Sequence, residues 1–331
     1  MTTKNIHDVA ALAGVSIATV SHVINKTRYV SEKTTNKVLY AMNELKYRPN
    51  HAARSLRSTK TSRVGLIIPV HPGDTSRSFF MTIAEGIEET LRPKGFHVIM
   101  SNSKENVKNE VEQLQLLDTH VTDGIILAST CEALDQLKPY LKDDHPCVLI
   151  DRVPEGYTND FVRVNTYDVT IEAINGLKKR GYKKIGFVGS THTVSTTRER
   201  MHAFQRATLD DPFSPNRIFL RDPTYEEGYN LAKHLLNSDV DAVFFSSNIL
   251  ATGVLHYLST HQIQIPEQLA LIVFDNTEWT RIHSPTITVI EQPAFQLGVE
   301  AATCFLNRIE HPDSKAMHID INPTIIWRNS C

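Results

Sequence analysis

The sequence is short of most things that would tie it to a special environment. Only four cysteines occur in 331 residues, at 131, 147, 304 and 331. They form no CxxC and no Cys/His ligand spacing, which speaks against a disulfide framework and a zinc site, and three of them sit among apolar neighbours as core residues do. Glycine (14) and proline (15) are few and aperiodic, and 41% of the chain is hydrophobic, so collagen, disorder and coiled coil are all excluded. The longest apolar runs, Val64 to Val70 and Leu269 to Phe274 among them, fall far short of the roughly 20 residues that span a bilayer. The segment Met1 to Asp8 lacks the apolar core of an export signal, which predicts a cytoplasmic protein without a membrane role.

Catalytic signatures are missing too. There is no Gly-x-Ser-x-Gly, no Gly-x4-Gly-Lys-Ser/Thr, no His-Glu-x-x-His, and no Gly-x-Gly-x-x-Gly after a strand. Gly186 to Thr191 has the look of a phosphate loop without its lysine and reads better as a strand running into a turn. The fifteen histidines are scattered, and His192, His202, His256 and His283 read as surface or hydrogen-bonded interior residues, not bases. Binding rather than turnover is expected, with no catalytic residue, no cofactor and no metal.

What the chain does have is an uneven charge distribution. The net charge is only −2, yet the first 60 residues carry ten basic and three acidic side chains, a net of +7 against −9 for the rest. A basic module on an acidic body is the pattern of a polyanion-binding head.

Residues 1 to 46 read as three short helices. Ile6, Val9, Ala10 and Ala13 make one apolar face, and Gly14 ends the first helix. Ser16 caps a second, in which Val20, Val23 and Ile24 face inward while Ile17, Ala18, Ser21 and His22 fall on the other side. Ser31 caps a third, with Val38, Ala41, Met42 and Leu45 as its buried stripe, and Tyr47-Arg48-Pro49-Asn50 stops it. Two helices joined by a short glycine turn and braced by a third form a helix-turn-helix pattern. His51 to Arg57 has helix-forming residues in a run below the roughly 12 needed for an isolated helix, so a conditional helix is expected there. Ser58 to Ser62 is a polar linker.

From Arg63 onward, predicted strands at 64–70, 96–101, 124–128, 147–150, 161–164, 184–188, 217–220, 241–246, 269–274 and 287–290 alternate with helical patterns. That implies parallel sheets covered on both faces. A weak repeat suggests two copies of the unit: Lys94-Gly95-Phe96 matches Arg180-Gly181-Tyr182, and Asp123-Gly124-Ile125-Ile126 matches Asp241-Ala242-Val243-Phe244. Two halves predict a cleft between them, a preferred place for a small ligand.

Several ordered segments carry a resemblance. Ile6-His7-Asp8-Val9-Ala10, Ala13-Gly14-Val15-Ser16, Thr19 to Asn25, Val30-Ser31, Leu45 to Asn50 and Ala53-Arg54-Ser55-Leu56 together resemble the LacI/GalR family of transcription regulators. Val64 to Pro69, Ile185 to Gly189, Phe274-Asp275-Asn276 and Ile290 to Pro293 extend the likeness over nearly the whole chain. Ser21 to Arg28 is similar to the purine-responsive branch of that family. The resemblance implies an α/β fold: a three-helix helix-turn-helix head (1–48), a hinge helix and linker (49–61), and a periplasmic-binding-protein-like body (62–331). The body would have two subdomains, about 62–162 with 291–320, and about 163–290 with 321–331.

By the same resemblance the second helix reads DNA. Ile17, Ala18 and His22 would meet base edges, while Ser16, Thr19, Ser21 and Asn25 serve phosphates or helix docking, and Arg28 reaches a base or a phosphate. Ile17 and Ala18 offer only apolar contact, such as to a thymine methyl, whereas His22 has hydrogen-bonding nitrogens. Asn50, Ala53, Leu56 and Arg57 fall in the hinge segment, with Leu56 as a minor-groove wedge. The effector cleft would draw on Phe79, Asp151, Arg200, Ser247, Asn248, Asp275 and Trp279. Arg200 and Asp275 would bracket hydroxyls while Phe79 or Trp279 covers an apolar sugar face. Two departures, Asn248 where many relatives have Asp and Val194 where purine-responsive members have Arg, point away from a purine and toward a sugar or sugar phosphate. The expected protein is a homodimeric repressor of carbohydrate genes on a palindromic operator. A solute-binding protein is the rival, and it would need an export signal and no basic head.

Overall fold

A computed structural model describes residues 5–25, 28–47, 61–70, 76–191 and 195–331. The chain divides into two compact units, Met1–Thr61 and Ser62–Cys331.

The first unit holds α1 (Ile6–Ala13), α2 (Ile17–Asn25) and α3 (Glu32–Glu44). Asn5 caps α1 in a capping box with Asp8, and Gly14 ends it in the left-handed region, at φ 65°. Ser16 Oγ accepts the Thr19 N–H at 3.1 Å at the start of α2, and Ser31 does the same for Thr34 in α3. Val9, Ala10, Ala13, Val20, Val38 and Ala41 form the buried centre, with Ile6, Val23, Ile24, Met42, Leu45 and Tyr47 packed around it.

The second unit contains two six-stranded sheets. The first subdomain has β1 (Arg63–Ile68), α4 (Arg77–Leu91), β2 (His97–Asn102), α5 (Val107–Leu116), β3 (Ile125–Leu127), α6 (Leu134–Leu137), β4 (Cys147–Ile150) and β5 (Phe161–Val164). The second has α7 (Thr166–Lys179), β6 (Ile185–Ser190), α8 (Ser195–Ala207), β7 (Ile218–Arg221), α9 (Tyr225–Asn237), β8 (Ala242–Phe245), α10 (Asn248–Thr260), β9 (Ala270–Phe274), α11 (Glu278–Ile282) and β10 (Thr288–Glu291). The chain then returns to the first subdomain for α12 (Ala294–Glu310) and β11 (His318–Ile321), and ends in the second with β12 (Thr324–Ile326). Strand order is β11-β5-β4-β3-β1-β2 in one sheet and β12-β10-β9-β8-β6-β7 in the other. Every pairing is parallel except β10 with β12.

All ten predicted strands are present within a residue or two, and β11 and β12 are additional. The chain crosses between subdomains after Val164, after Glu291 and between Ile321 and Thr324. The repeat is physical. The Asp123 carboxylate accepts the Ser62 N–H at 2.7 Å, and Asp241 accepts those of Lys183 and Lys184 at 2.8 and 3.0 Å, so each aspartate closes off the start of the neighbouring strand. Gly95 and Gly181 lie at φ 81° and 101°, the left-handed conformation that lets a helix turn into a strand.

Glycines also set the closest helix approaches. A Cβ on Gly298 of α12 would stand 2.1 Å from the Ile83 carbonyl of α4, and one on Gly253 of α10 would stand 2.2 Å from the Tyr225 carbonyl of α9. Each subdomain is thus covered on one face by a helix pair in backbone contact. Strand C-terminal ends in parallel α/β sheets are where ligands bind, so the functional surfaces to inspect are those ends and the exposed side of α2.

Candidate functional site

In the head, Val20 is fully buried and Val23 and Ile24 are half-buried against the core, which leaves the other side of α2 open. Ile17 is 41% exposed, a high value for a large apolar side chain in a small domain. Ala18 and Ser16 are exposed, and Thr19, Ser21 and His22 are half-buried. Ser16 Oγ lies 2.9 Å from Thr19 Oγ1, so part of its hydrogen-bonding capacity is spent holding the helix start. Arg28 is exposed, as are Lys33, Lys37 and Lys46. Beside Arg28, Tyr29 is 92% exposed, and the sequence reading passed over it. Nothing is described of the Asn25 side chain. Asn50, Ala53, Leu56 and Arg57, with the whole expected hinge helix, lie outside the described residues, as do His192 and Val194.

In the body, candidate residues gather where β4, β6, β8 and β9 end. Asp151 follows β4 and Asp275 follows β9, and both adopt left-handed backbone at φ 64° and 75°. Each donates its N–H across to the next strand at 2.9 Å, Asp151 to Val162 and Asp275 to Ile290. They are therefore equivalent positions of the repeat, one on each wall of the cleft. Non-glycine residues at positive φ are uncommon, and aspartate is among the few that adopt it readily.

Arg200 comes from α8. Its Nη1 donates to the Ser246 carbonyl at 3.0 Å, and its guanidinium lies over the Phe274 ring, 3.6 Å from the centroid. Burial lowers its pKa, an effect the Asp275 and Asp151 carboxylates oppose. Asp151 is 7% exposed. Burial pushes its carboxyl up to about 6, against the pull of Arg152 and Arg200, while Asp275 and Glu105 push it further up. Asn248 Nδ2 donates to the Phe274 carbonyl at 3.2 Å. Ser247 stands half-buried at the N-cap of α10, where its hydroxyl makes no capping bond. Asp275 Oδ1 accepts from Gln292 Nε2 at 2.6 Å.

Next to these residues lies a cavity of about 530 Å³. Ser78, Phe79 and Thr82 of α4 form one wall; Asp275 to Glu278, Glu291 to Gln296 and Thr324 form the rest. Of the seven expected effector residues the cavity brings together Phe79 and Asp275. Asp151 and Arg200 reach it through their electrostatic coupling to Asp275, and Ser247 and Asn248 sit deeper, at the start of α10. Trp279 does not line it, because its indole packs on the core of the second subdomain. Sequence reasoning missed Asn276, Thr277, Glu291, Gln292 and Phe295. Their position at or just past the ends of β9 and β10, with Phe295 on the first turn of α12, was the signal that could have found them.

Buried polar atoms without a protein partner mark the same region. Arg200 Nε, Asn248 Oδ1, Thr277 Oγ1, Trp279 Nε1 and Gln292 Oε1 are all of this kind. Buried polar atoms are nearly always hydrogen-bonded, so a cluster of exceptions at strand ends is the mark of a site built for a polar ligand. Thr277 and Gln292 of this set line the cavity and offer it a hydroxyl that can donate or accept and an amide acceptor, while Arg200 Nε and Asn248 Oδ1 stand behind them. Among the described residues, the carboxylates of Asp275, Glu278 and Glu291 line the cavity, and no Lys or Arg does. Among the described residues no group of three or more His, Cys, Asp or Glu is placed to hold a metal.

Comparison with known proteins agrees with both halves of this geometry. Residues 5–50 match bacterial regulatory proteins of the lacI family, and residues 174–331 match a periplasmic binding protein-like domain. The HTH-type transcriptional repressor PurR of Pasteurella multocida is 30% identical over 332 residues, 98% of each chain. The lac repressor dimer bound to operator and the anti-inducer ONPF superposes with a TM-score of 0.86 at 20% identity, covering 99% of both chains. A LacI family regulator from Enterococcus faecium with bound ribose gives a TM-score of 0.70 at 25% identity, over 81% of this chain and 98% of that one.

Proposed function

The chain belongs to the lacI family of bacterial regulatory proteins and is a DNA-binding transcriptional repressor, and from that premise we propose that it controls carbohydrate genes through a sugar held in the cleft between its subdomains. The observation that carries this reading is the unpartnered buried Thr277 hydroxyl and Gln292 amide oxygen on the cavity wall beside Asp275, a mixture of donor and acceptor. A sugar hydroxyl is donor and acceptor at once and satisfies both kinds. The carboxylates of Asp275, Glu278 and Glu291 in the lining favour an uncharged sugar over a sugar phosphate, whose charge they would repel. The ribose-bound relative supports the same class. The phosphate alternative in the sequence reading thereby loses ground.

A purine is the second reading, favoured by the relatives named PurR at 30% identity. Stacking a base needs free aromatic faces. Phe79 and Phe295 offer them at the cavity, but one face of Phe274 is taken by Arg200.

The operator is expected to be a short palindrome bound by a homodimer, since one head reads a half-site. Half-exposed Met100 on the edge strand β2 is in keeping with a partner there. A thermal-shift screen of neutral sugars, sugar phosphates and purines tests the effector class. A ligand at a hundred times its Kd stabilises by about 2.7 kcal/mol, which raises Tm by roughly 5 to 10 °C for a body of this size. A shift with a purine and none with any sugar would replace the first reading by the second. Selection from random DNA tests the operator, where recovery of a motif without two-fold symmetry would remove the dimeric half-site arrangement.

A further inference from the structure

The turn between β9 and α11, which lines the cavity, is held from behind. Asn276 stands in the middle of it with both ends of its amide engaged: Oδ1 accepts from Arg328 Nη2 at 2.6 Å, and Nδ2 donates to Glu291 Oε1 at 2.6 Å. The Arg328 guanidinium also donates from Nη1 to the Thr280 hydroxyl at 3.0 Å and to the Ile287 carbonyl at 2.8 Å. Thr280 is fully buried, and its hydroxyl in turn donates to the Thr277 carbonyl at 2.7 Å. One side chain therefore ties together the turn after β9, the helix α11 and the entry to β10. Arg328 is itself aimed by its neighbours. Its own N–H donates to Thr288 Oγ1 at 2.9 Å, and the Asn329 N–H donates to the Thr286 carbonyl at 3.1 Å. Fully buried Ser330 takes the Thr288 N–H at 2.8 Å and gives its hydroxyl proton to the Leu271 carbonyl at 2.6 Å. Arg281 also reaches Asn276 Oδ1, but at 3.3 Å and from an exposed position. Arg328 does not line the cavity, whereas Asp275, Asn276, Thr277 and Glu291 do.

We propose that Arg328 is the positioning residue of the effector cavity: through Asn276 and Thr280 it fixes the turn that presents Asp275 and Thr277 to the ligand, and through Asn276 it places the Glu291 carboxylate. The inference rests on the cavity being the effector site and adds to it a residue outside its lining. The chemistry demands an arginine. Three neutral oxygens from three segments are served by one planar fork of fixed geometry, which a point-like ammonium does not reproduce. The wall is then set before any effector arrives, and a preformed wall spares binding the cost of ordering it. Loss of the guanidinium acts locally, because the strands behind the turn are held by their own apolar packing through Phe244, Ile272 and Phe274.

The full chain without ligand is sufficient for the test, read by amide hydrogen exchange. The N–H groups of Thr280 and His283, bonded to the Thr277 and Trp279 carbonyls at 3.1 and 3.0 Å, report on the wall, and those of β8 and β9 report on the sheet interior. Arg328→Ala is expected to speed exchange over residues 276–283 by about tenfold or more, and exchange in β8 and β9 by less than about twofold. Arg328→Lys, which keeps one charged donor, should restore part of the lost protection, and Arg328→Met, similar in length but without donors, should restore none. Asn276→Ala should loosen the same segment, and adding Arg328→Ala to it should cost less than the two separate effects combined, since both act through one bond. Should Arg328→Ala fail to fold, the comparison of the Lys and Met variants and the Asn276→Ala protein decide the matter. Equal acceleration in the wall and the sheet interior, protection by Met as good as that by Lys, or fully additive effects of Arg328→Ala and Asn276→Ala overturns the assignment. No sugar or purine enters the experiment, so a failed ligand screen and a failed positioning role remain distinct results.

Discussion

Replacing Arg200 by alanine tests the cleft most directly. The side chain is 9% exposed and makes three kinds of contact: the bond to the Ser246 carbonyl at 3.0 Å, the stack on Phe274 at 3.6 Å, and the electrostatic coupling to Asp151 and Asp275. Truncation removes from both carboxylates the cation they share, leaving Asp151 only its 3.7 Å pair with Arg152, whose Nη atoms are bonded to Glu105. Removing one partner of a buried charged hydrogen bond costs roughly 2–5 kcal/mol of binding. At about 1.4 kcal/mol per decade, effector affinity should fall between roughly 30-fold and a few thousandfold. Part of the stability lost with the cation–π contact and the hydrogen bond is returned, since the guanidinium no longer has to be stripped of water. Operator affinity without effector should stay within a few-fold, because the head is a separate unit. Calorimetry with the effector identified by the thermal screen reads the first quantity, and fluorescence anisotropy on labelled operator reads the second. An Arg200→Ala protein that binds effector within threefold of wild type, or that loses operator binding to the same degree, would refute the reasoning.

Two further outcomes are expected. Gly298→Ala places a methyl 2.1 Å from the Ile83 carbonyl and forces α4 and α12 apart, an overpacking worth about 1–3 kcal/mol that scanning calorimetry should register as a Tm lower by roughly 2 to 10 °C; an unchanged Tm would mean the helix pair relaxes freely. Leu56→Ala should remove most sequence-specific affinity and keep the salt-dependent non-specific binding, since phosphate contacts by the basic head remain; equal affinity for operator and random DNA in wild type would contradict it.

Much of this architecture is legible along the chain, and what is not has identifiable causes. The eight strands of the two sheet interiors announce themselves because parallel strands buried on both faces need continuous runs of Val, Ile, Leu and Phe, and the edge strands β2 and β7 are betrayed by the glycine turn or polar loop before them and the helical pattern after them. β11 and β12 go unread because they are short edge strands, only half-buried, in His318 to Ile321 and Thr324 to Ile326. The head is clear because α2 has a buried face supplied by Val20, Val23 and Ile24, which fixes which residues remain for DNA. The cleft is harder. Phe79, Asp275 and Gln292 belong to one cavity yet come from segments some 200 residues apart, and no local pattern states that β10 delivers Glu291 and Gln292 beside the turn after β9. Nor does a lone glycine in α12 reveal that Ile83 is pressed against it.

The three crossings between subdomains have a consequence for the order in which the protein comes into being. The head is finished by Tyr47, but the first sheet lacks its outer strand until Ile321 and the second until Ile326, and α4 cannot find its backbone partner until α12 has been made. During synthesis the DNA-reading unit is therefore folded long before either half of the body can close. A chain interrupted anywhere between the head and the last crossing would carry a competent three-helix unit attached to two incomplete sheets with open edges, which are templates for aggregation. Termination before His318 should thus be nearly as damaging as termination early, because His318 to Ile326 supplies the outer strands of both sheets.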